Sequence, residues 1–136
     1  MINFNYETDF KLDSEEQISK WITDAIASEE YKLEEINYVF CDDEYLYKLN
    51  VEFLKHDTLT DIISFDYSVG KIIQGDIFIS VERVADNAKD FGVSLEKELH
   101  RVIIHGVLHY CGYKDKTDDD AKQMREKENY YLSLLD

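Results

Sequence analysis

Residues 105–115 read His-Gly-Val-Leu-His-Tyr-Cys-Gly-Tyr-Lys-Asp, and no other stretch constrains the fold so tightly. The run around them (Val102, Ile103, Ile104, Val107, Leu108) is too apolar for a surface helix and predicts one in the core. His105 and His109, four apart, then stand on one face one turn apart. With His105 at zero and about 100° per residue, His109 lies near ~40° and Arg101 near ~−40°. Cys111 and His100 fall about 240° and about 220° round, away from that face. Gly112 can end the helix in a left-handed conformation and turn the chain back, so that Asp115 supplies a third ligand. Two imidazoles and a carboxylate with one position open suit a catalytic divalent metal. A metal-free pair of histidines is the plainer alternative, but partly buried imidazoles need partners and one ion serves both.

The rest of the chain bounds the possibilities. Of 136 residues, 44% are hydrophobic, enough for one core, and with no Pro and five Gly there is no linker at which to divide residues 1–136. No apolar run reaches the roughly 18 residues of a membrane span, and the start lacks the basic residues of a signal peptide, so no membrane partner and a cytoplasmic location are expected. Cys41 and Cys111 are too few and too far apart for a disulfide framework. The formal net charge of −15 disfavours a polyanionic partner held by the global field. Between Lys114 and Glu128, five basic residues stand against six acidic ones, with no basic stripe. Any nucleic-acid role must rest on a local site or on the metal's own charge.

Hydrophobic spacing predicts an α+β domain in the order βαβαββααα, a sheet of about four strands covered by about five helices, with the histidine helix near the C-terminus. Strands are expected at 2–6, 35–41, 61–67 and 76–80, with Gly70 and Gly75 bracketing a turn before the last. Ser14 with Gln17, Asp42 or Asp43, Ser80 and Ser94 are the expected helix N-caps, and Gly92 an expected stop. The histidine helix runs from about Leu95 to Tyr110. The last, from about Thr117 to Leu134, offers Met124, Tyr131, Leu132 and Leu135 for packing. Strand pairing and register do not follow from the pattern.

The spacing His-x3-His-x2-Gly-x2-ligand is that of metzincin zinc proteases. Those enzymes carry Glu directly after the first His as the general base, and here that position is Gly106. Peptide hydrolysis would need a base from elsewhere.

The segment His105 to Tyr113 also resembles the signature of the YbeY family of bacterial endoribonucleases, typically His-Gly-x-Leu-His-Leu-x-Gly-Tyr-Asp-His. Leu49-Asn50 followed by Leu59-Thr60-Asp61-Ile62-Ile63-Ser64-Phe65 is similar to that family's Leu-Asn … Pro-Thr-Asp-Val-Leu-Ser-Phe segment, and Gly75-Asp76-Ile77 to its Gly-Asp-Ile strand. The resemblance implies a cytoplasmic, metal-dependent, single-strand-specific endoribonuclease that matures ribosomal RNA, notably at the 3′ end of the small-subunit RNA. It further implies an α+β fold and zinc held by three motif ligands. His105 and His109 inherit the ligand role directly.

The third family histidine falls on Asp115, which can ligate zinc through oxygen at about 2.0–2.2 Å but makes the site harder and more anionic. Manganese or magnesium therefore stands as an alternative ion. Leu54 stands where the family commonly has a catalytic Arg. Lys55, as a substrate contact, and His56, as an acid or base, are the candidates to cover that role. Arg101, one turn before His105, is a candidate to steady charge on the phosphate, with a helix–helix salt bridge as the alternative. Ser64 either lines the pocket as a substrate contact or ties a strand end, and for Asp76 the structural reading is favoured. The expected partners are ribosomal RNA and the small subunit, with basic ribosomal proteins a route by which an acidic protein reaches RNA. Two other classes remain open: a non-catalytic ribosome-associated factor with a structural metal, and a different metallohydrolase.

Overall fold

Three of the expected N-caps are formed. In the computed structural model, which describes residues 1–54 and 60–135, Asp42 accepts from the Tyr45 amide, Ser80 from that of Arg83 and Ser94 from that of Lys97. They start α2 (Asp43–Leu49), α3 (Val81–Phe91) and α4 (Leu95–Tyr110). Gly92 ends α3 at φ 69°, a conformation glycine adopts without a Cβ penalty. Ser14 is the exception. Before α1 (Glu15–Ser28) it sits at φ 59° and caps nothing with its side chain, so no capping box forms with Gln17. α2 runs on into a single π-helical turn at Asn50–Leu54, and α5 spans Asp118–Leu135.

The four strands, β1 (Ile2–Tyr6), β2 (Lys32–Cys41), β3 (Ile62–Asp66) and β4 (Ile72–Ser80), form one sheet in the order β1-β2-β4-β3. β1 and β2 are parallel, β2 and β4 are parallel, and β3 runs antiparallel along the edge of β4. Alternation along the strands divides the apolar side chains between two faces. Ile36, Tyr38 and Phe40 of β2 and Ile73, Ile77 and Ile79 of β4 join the main core with α1, α4 and α5, whose buried residues include Trp21, Ile22, Ile103, Leu108 and Tyr131. On the other face, α2 packs through Leu46 and Leu49 on Cys41, Ile63, Phe65 and Phe78. There Asn3 donates to Asn37 (2.8 Å) and Asn37 to Asp76 (3.0 Å), a polar ladder across three strands that gives Asp76 a structural place.

Gly75 lies inside β4, not in a turn before it, because the strand begins at Ile72. The Tyr110 hydroxyl donates to the Phe65 carbonyl at 2.9 Å, with the Asp76 carbonyl at 3.2 Å. A Cβ on Gly75 would stand 2.3 Å from that hydroxyl and 2.5 Å from the Phe65 carbonyl oxygen. Gly75→Ala is therefore expected to cost about 3 kcal/mol by overpacking, read as a lower denaturant midpoint at unchanged m-value. A variant within about 0.5 kcal/mol of wild type would show that β3 and Tyr110 shift freely.

Gly106, where a zinc protease would carry its general base, is closely packed. It is buried in the middle of α4, and a Cβ there would already lie 3.1 Å from the terminal methyls of both Ile62 and Ile77. α4 crosses the sheet closely here, and any side chain at this position would press on Ile62 and Ile77.

Candidate metal centre

The same crossing turns one stripe of α4 away from the sheet. His105 and His109 lie on it, half-buried, with Nε2 atoms 2.9 Å apart. The backbone turns at Gly112, φ 95°, and brings back Asp115, whose Oδ2 lies 3.2 Å from the His105 Nε2 and 3.4 Å from that of His109. Donor atoms around a tetrahedral ion with bonds of about 2.0–2.1 Å stand roughly 3.3 Å apart. Among the described residues this is the one group of three or more metal-ligating side chains whose donor atoms converge.

The outer nitrogens fix the tautomers. His109 Nδ1 lies 3.0 Å from the Tyr113 carbonyl oxygen, which can only accept, so Nδ1 carries the proton. His105 Nδ1 lies 2.7 Å from Oε2 of Glu128 and donates to it likewise. Both Nε2 atoms are then left with lone pairs that face each other and the Asp115 carboxylate. Three converging acceptors repel unless a proton or a cation sits among them, and two imidazole nitrogens with a carboxylate oxygen are a donor set that fits a divalent ion.

Glu128 is the main functional residue that sequence reasoning missed. It is 4% exposed, and its other oxygen, Oε1, accepts from Arg101 Nη1 at 3.0 Å, with Arg125 Nη1 at 3.7 Å. Burial alone would raise its pKa, but the bonds from His105 and Arg101 more than offset that and hold it below the usual carboxylate value. Burial would in turn lower the pKa of His105, but its bond to Glu128 and the charges of Glu128, Asp115 and Asp61 outweigh this and raise it. A metal at Nε2 thus competes with a proton. The missed signal was positional. Glu128 falls in the stripe Met124, Glu128, Tyr131, Leu132, where a lone carboxylate amid buried apolar residues calls for a buried partner.

The loop that carries Asp115 is itself anchored. The Tyr113 hydroxyl donates to Glu29 Oε1 at 2.7 Å, while Tyr131 and Lys127 donate to Oε2, Lys127 at 3.1 Å. The end of α1 thereby holds the residue whose carbonyl orients His109.

The remaining candidates are dispersed. Arg101 lines the groove beside His105 and Asp115, and its described bond runs to Glu128. Ser64 is exposed on edge strand β3, opposite Ile77 of β4, and does not line that groove. Lys55 and His56 lie outside the described residues, as does the side chain of Leu54. His100 packs edge-on against Trp21, on the far side of α4 from the metal face. No helix of the described residues is long and apolar enough to cross a membrane.

An α+β domain whose core helix presents two histidines and a loop carboxylate to one point defines a class of metal-centre proteins, and likeness to known proteins narrows it. The family model described as endoribonuclease YbeY matches residues 2–136. Endoribonuclease YbeY of Flavobacterium johnsoniae is 66% identical over 135 residues, covering 99% of this chain and 97% of the relative. That of Flavobacterium psychrophilum is 58% identical, covering 99% and 96%. A solution structure of a Thermotoga maritima protein superposes with a TM-score of 0.73 at 28% identity, covering 99% of this chain and 89% of the other. The chain belongs to the endoribonuclease YbeY family.

Proposed function

We propose that this protein cleaves single-stranded RNA at the His105–His109–Asp115 centre, and that it acts in the cytoplasm on ribosomal RNA, at the 3′ end of the small-subunit RNA. The observation that carries the reading is the convergence of three lone-pair donors whose outer nitrogens are both committed to acceptors. We assign zinc to the centre, since two imidazoles and one carboxylate are a common catalytic zinc set.

When bound, a divalent ion supplies Lewis acidity at the scissile phosphate. The chain's own part is to hold the site open and in register. Glu128 and the Tyr113 carbonyl keep each imidazole in the Nδ1–H tautomer, so that each Nε2 stays available. Arg101 offsets the charge of Glu128, so that this carboxylate adds less to the acidic lining of a groove that a polyanion must enter. Two of the four histidines are the proposed ligands and His100 packs on Trp21, which leaves His56 as the imidazole for proton transfer. Lys55, beside it, is assigned a phosphate contact. Ser64, exposed on the sheet face that also carries Ile62, is assigned a contact to the incoming strand.

Cleavage of a short single-stranded RNA with the sequence of the small-subunit 3′ end tests this. His109→Ala is expected to lose more than about a hundredfold in rate, beyond the 10–100-fold that loss of an outer partner of a metal ligand costs. Equal cleavage by wild type and His109→Ala, purified identically, would attribute the activity to a contaminant. Inactivity of both, with wild type still binding zinc, would favour a ribosome-associated factor with a structural metal. Association with the small subunit is checked by co-sedimentation, and absence from that fraction would remove this part of the proposal.

A further inference from the structure

The groove that holds His105 and Asp115 has a volume of about 280 Å³ and extends along α4 towards its N-terminus, where Asp61, Asn87, Phe91, Glu98, Arg101 and Arg125 line it. Glu98 lies seven residues before His105, hence on the same helical face and about 10 Å away along the axis. That separation is too great for Glu98 to touch atoms reacting at the metal centre, but it suits the base of a flanking nucleotide. Glu98 is 5% exposed, and no hydrogen bond reaches its carboxyl among the described residues. The charges acting on it are those of Arg101 and Arg125, opposite in sign, and of Asp61 and Glu128, like in sign. Its oxygens open on the groove that Glu98 lines, where a ligand's N–H groups can take the place of water as donors.

The rim of this arm carries the complementary chemistry. Phe91, at the end of α3, is 63% exposed although it borders a polar groove. The Arg125 side chain is 57% exposed. An accessible ring for a base face, a sunken carboxylate for a base edge and an exposed guanidinium for a phosphate are the three contacts by which single-stranded nucleic acid is held.

We propose that this arm of the groove is a nucleobase subsite beside the cleaved bond, in which Phe91 stacks on the base and Glu98 accepts its N–H donors, favouring guanine over uracil. The inference rests on the RNA-cleaving reading of the metal centre. Guanine offers two adjacent N–H donors on its Watson–Crick edge, matched to the two oxygens of a carboxylate. Uracil offers one N–H between two carbonyls, both of which a carboxylate repels. If Glu98 serves only as a counter-charge to Arg101, no base preference follows.

The test uses metal-free, ¹⁵N-labelled full-length protein titrated with GMP, AMP, CMP and UMP and followed by amide NMR. GMP is expected to shift resonances around Asn87–Phe91 and Glu98–Arg101 and to bind about tenfold more tightly than UMP. Phe91→Ala, at an exposed position, is expected to weaken every nucleotide about tenfold. Glu98→Gln should remove the preference for GMP and leave UMP unchanged. Equal binding of all four nucleotides, shifts elsewhere, or wild-type behaviour of both variants would overturn the subsite. RNA cleavage by zinc-loaded wild type in the same preparation separates the two readings. If cleavage persists when the nucleotide titration fails, only the subsite is wrong; if cleavage itself fails, the nuclease reading is overturned.

Discussion

Glu128→Ala is expected to lower zinc affinity 10–100-fold and to lower the melting temperature by roughly 10 °C. The stability loss follows from what the substitution leaves behind. The Arg101 side chain is 17% exposed and Glu128 is its partner, so removing the carboxylate strands a largely buried guanidinium, at a cost of about 3 kcal/mol. The affinity loss follows from the imidazole. Without an acceptor at Nδ1, the His105 ring is free to rotate and to carry its proton on Nε2, where the ion must bind. Glu128→Gln separates the two effects. It keeps the volume and one hydrogen bond but cannot satisfy His105 and Arg101 as acceptor to both, so affinity falls while stability falls less. Wild-type zinc affinity in Glu128→Gln would show that Glu128 is only a link between α4 and α5.

Asp115→Ala is expected to lose more than about a hundredfold in metal affinity, because it removes a proposed ligand and not an outer partner. The side chain is the most exposed of the three, so its removal should move stability little. Asp115→His informs on metal choice. A third imidazole replaces a hard oxygen donor with a softer nitrogen, so zinc binding should survive and the ratio of zinc to manganese affinity should rise. Both affinities are read by chelator competition. If Asp115→Ala binds zinc as wild type does, the carboxylate is a bystander and the two histidines hold the ion alone.

Much of this site was legible in the sequence because it depends on one helix. Four-residue spacing on α4 fixes the common face of His105 and His109, Gly112 supplies the turn, and the short loop returns Asp115. Capping by Ser80 and Ser94 was legible for the same reason, since both acceptor and donor lie within one turn. Ser14 failed where a backbone of positive φ removed its side chain from the amides it was expected to cap. Gly75 was misplaced because its reason for being glycine, the Tyr110 hydroxyl, lies 35 positions along the chain and on another element. Glu128 was missed on the same ground: its partners are on α4, 23 and 27 residues away. The strand order β1-β2-β4-β3 also depends on pairings that no local pattern encodes. Long-range polar contacts are the common element in what the sequence concealed.

RNA cleavage driven by a single metal ion at three named atoms is tested most directly by titrating activity against zinc. Chelator-stripped wild type is given increasing equivalents of zinc, and the initial rate of single-stranded RNA cleavage is recorded at each step. The expected result is negligible cleavage without zinc, a rise proportional to the zinc added, and a plateau at about one equivalent per chain. Undiminished cleavage by the stripped protein, or a rate that does not respond to zinc or manganese, would contradict a metal-driven reaction at this centre.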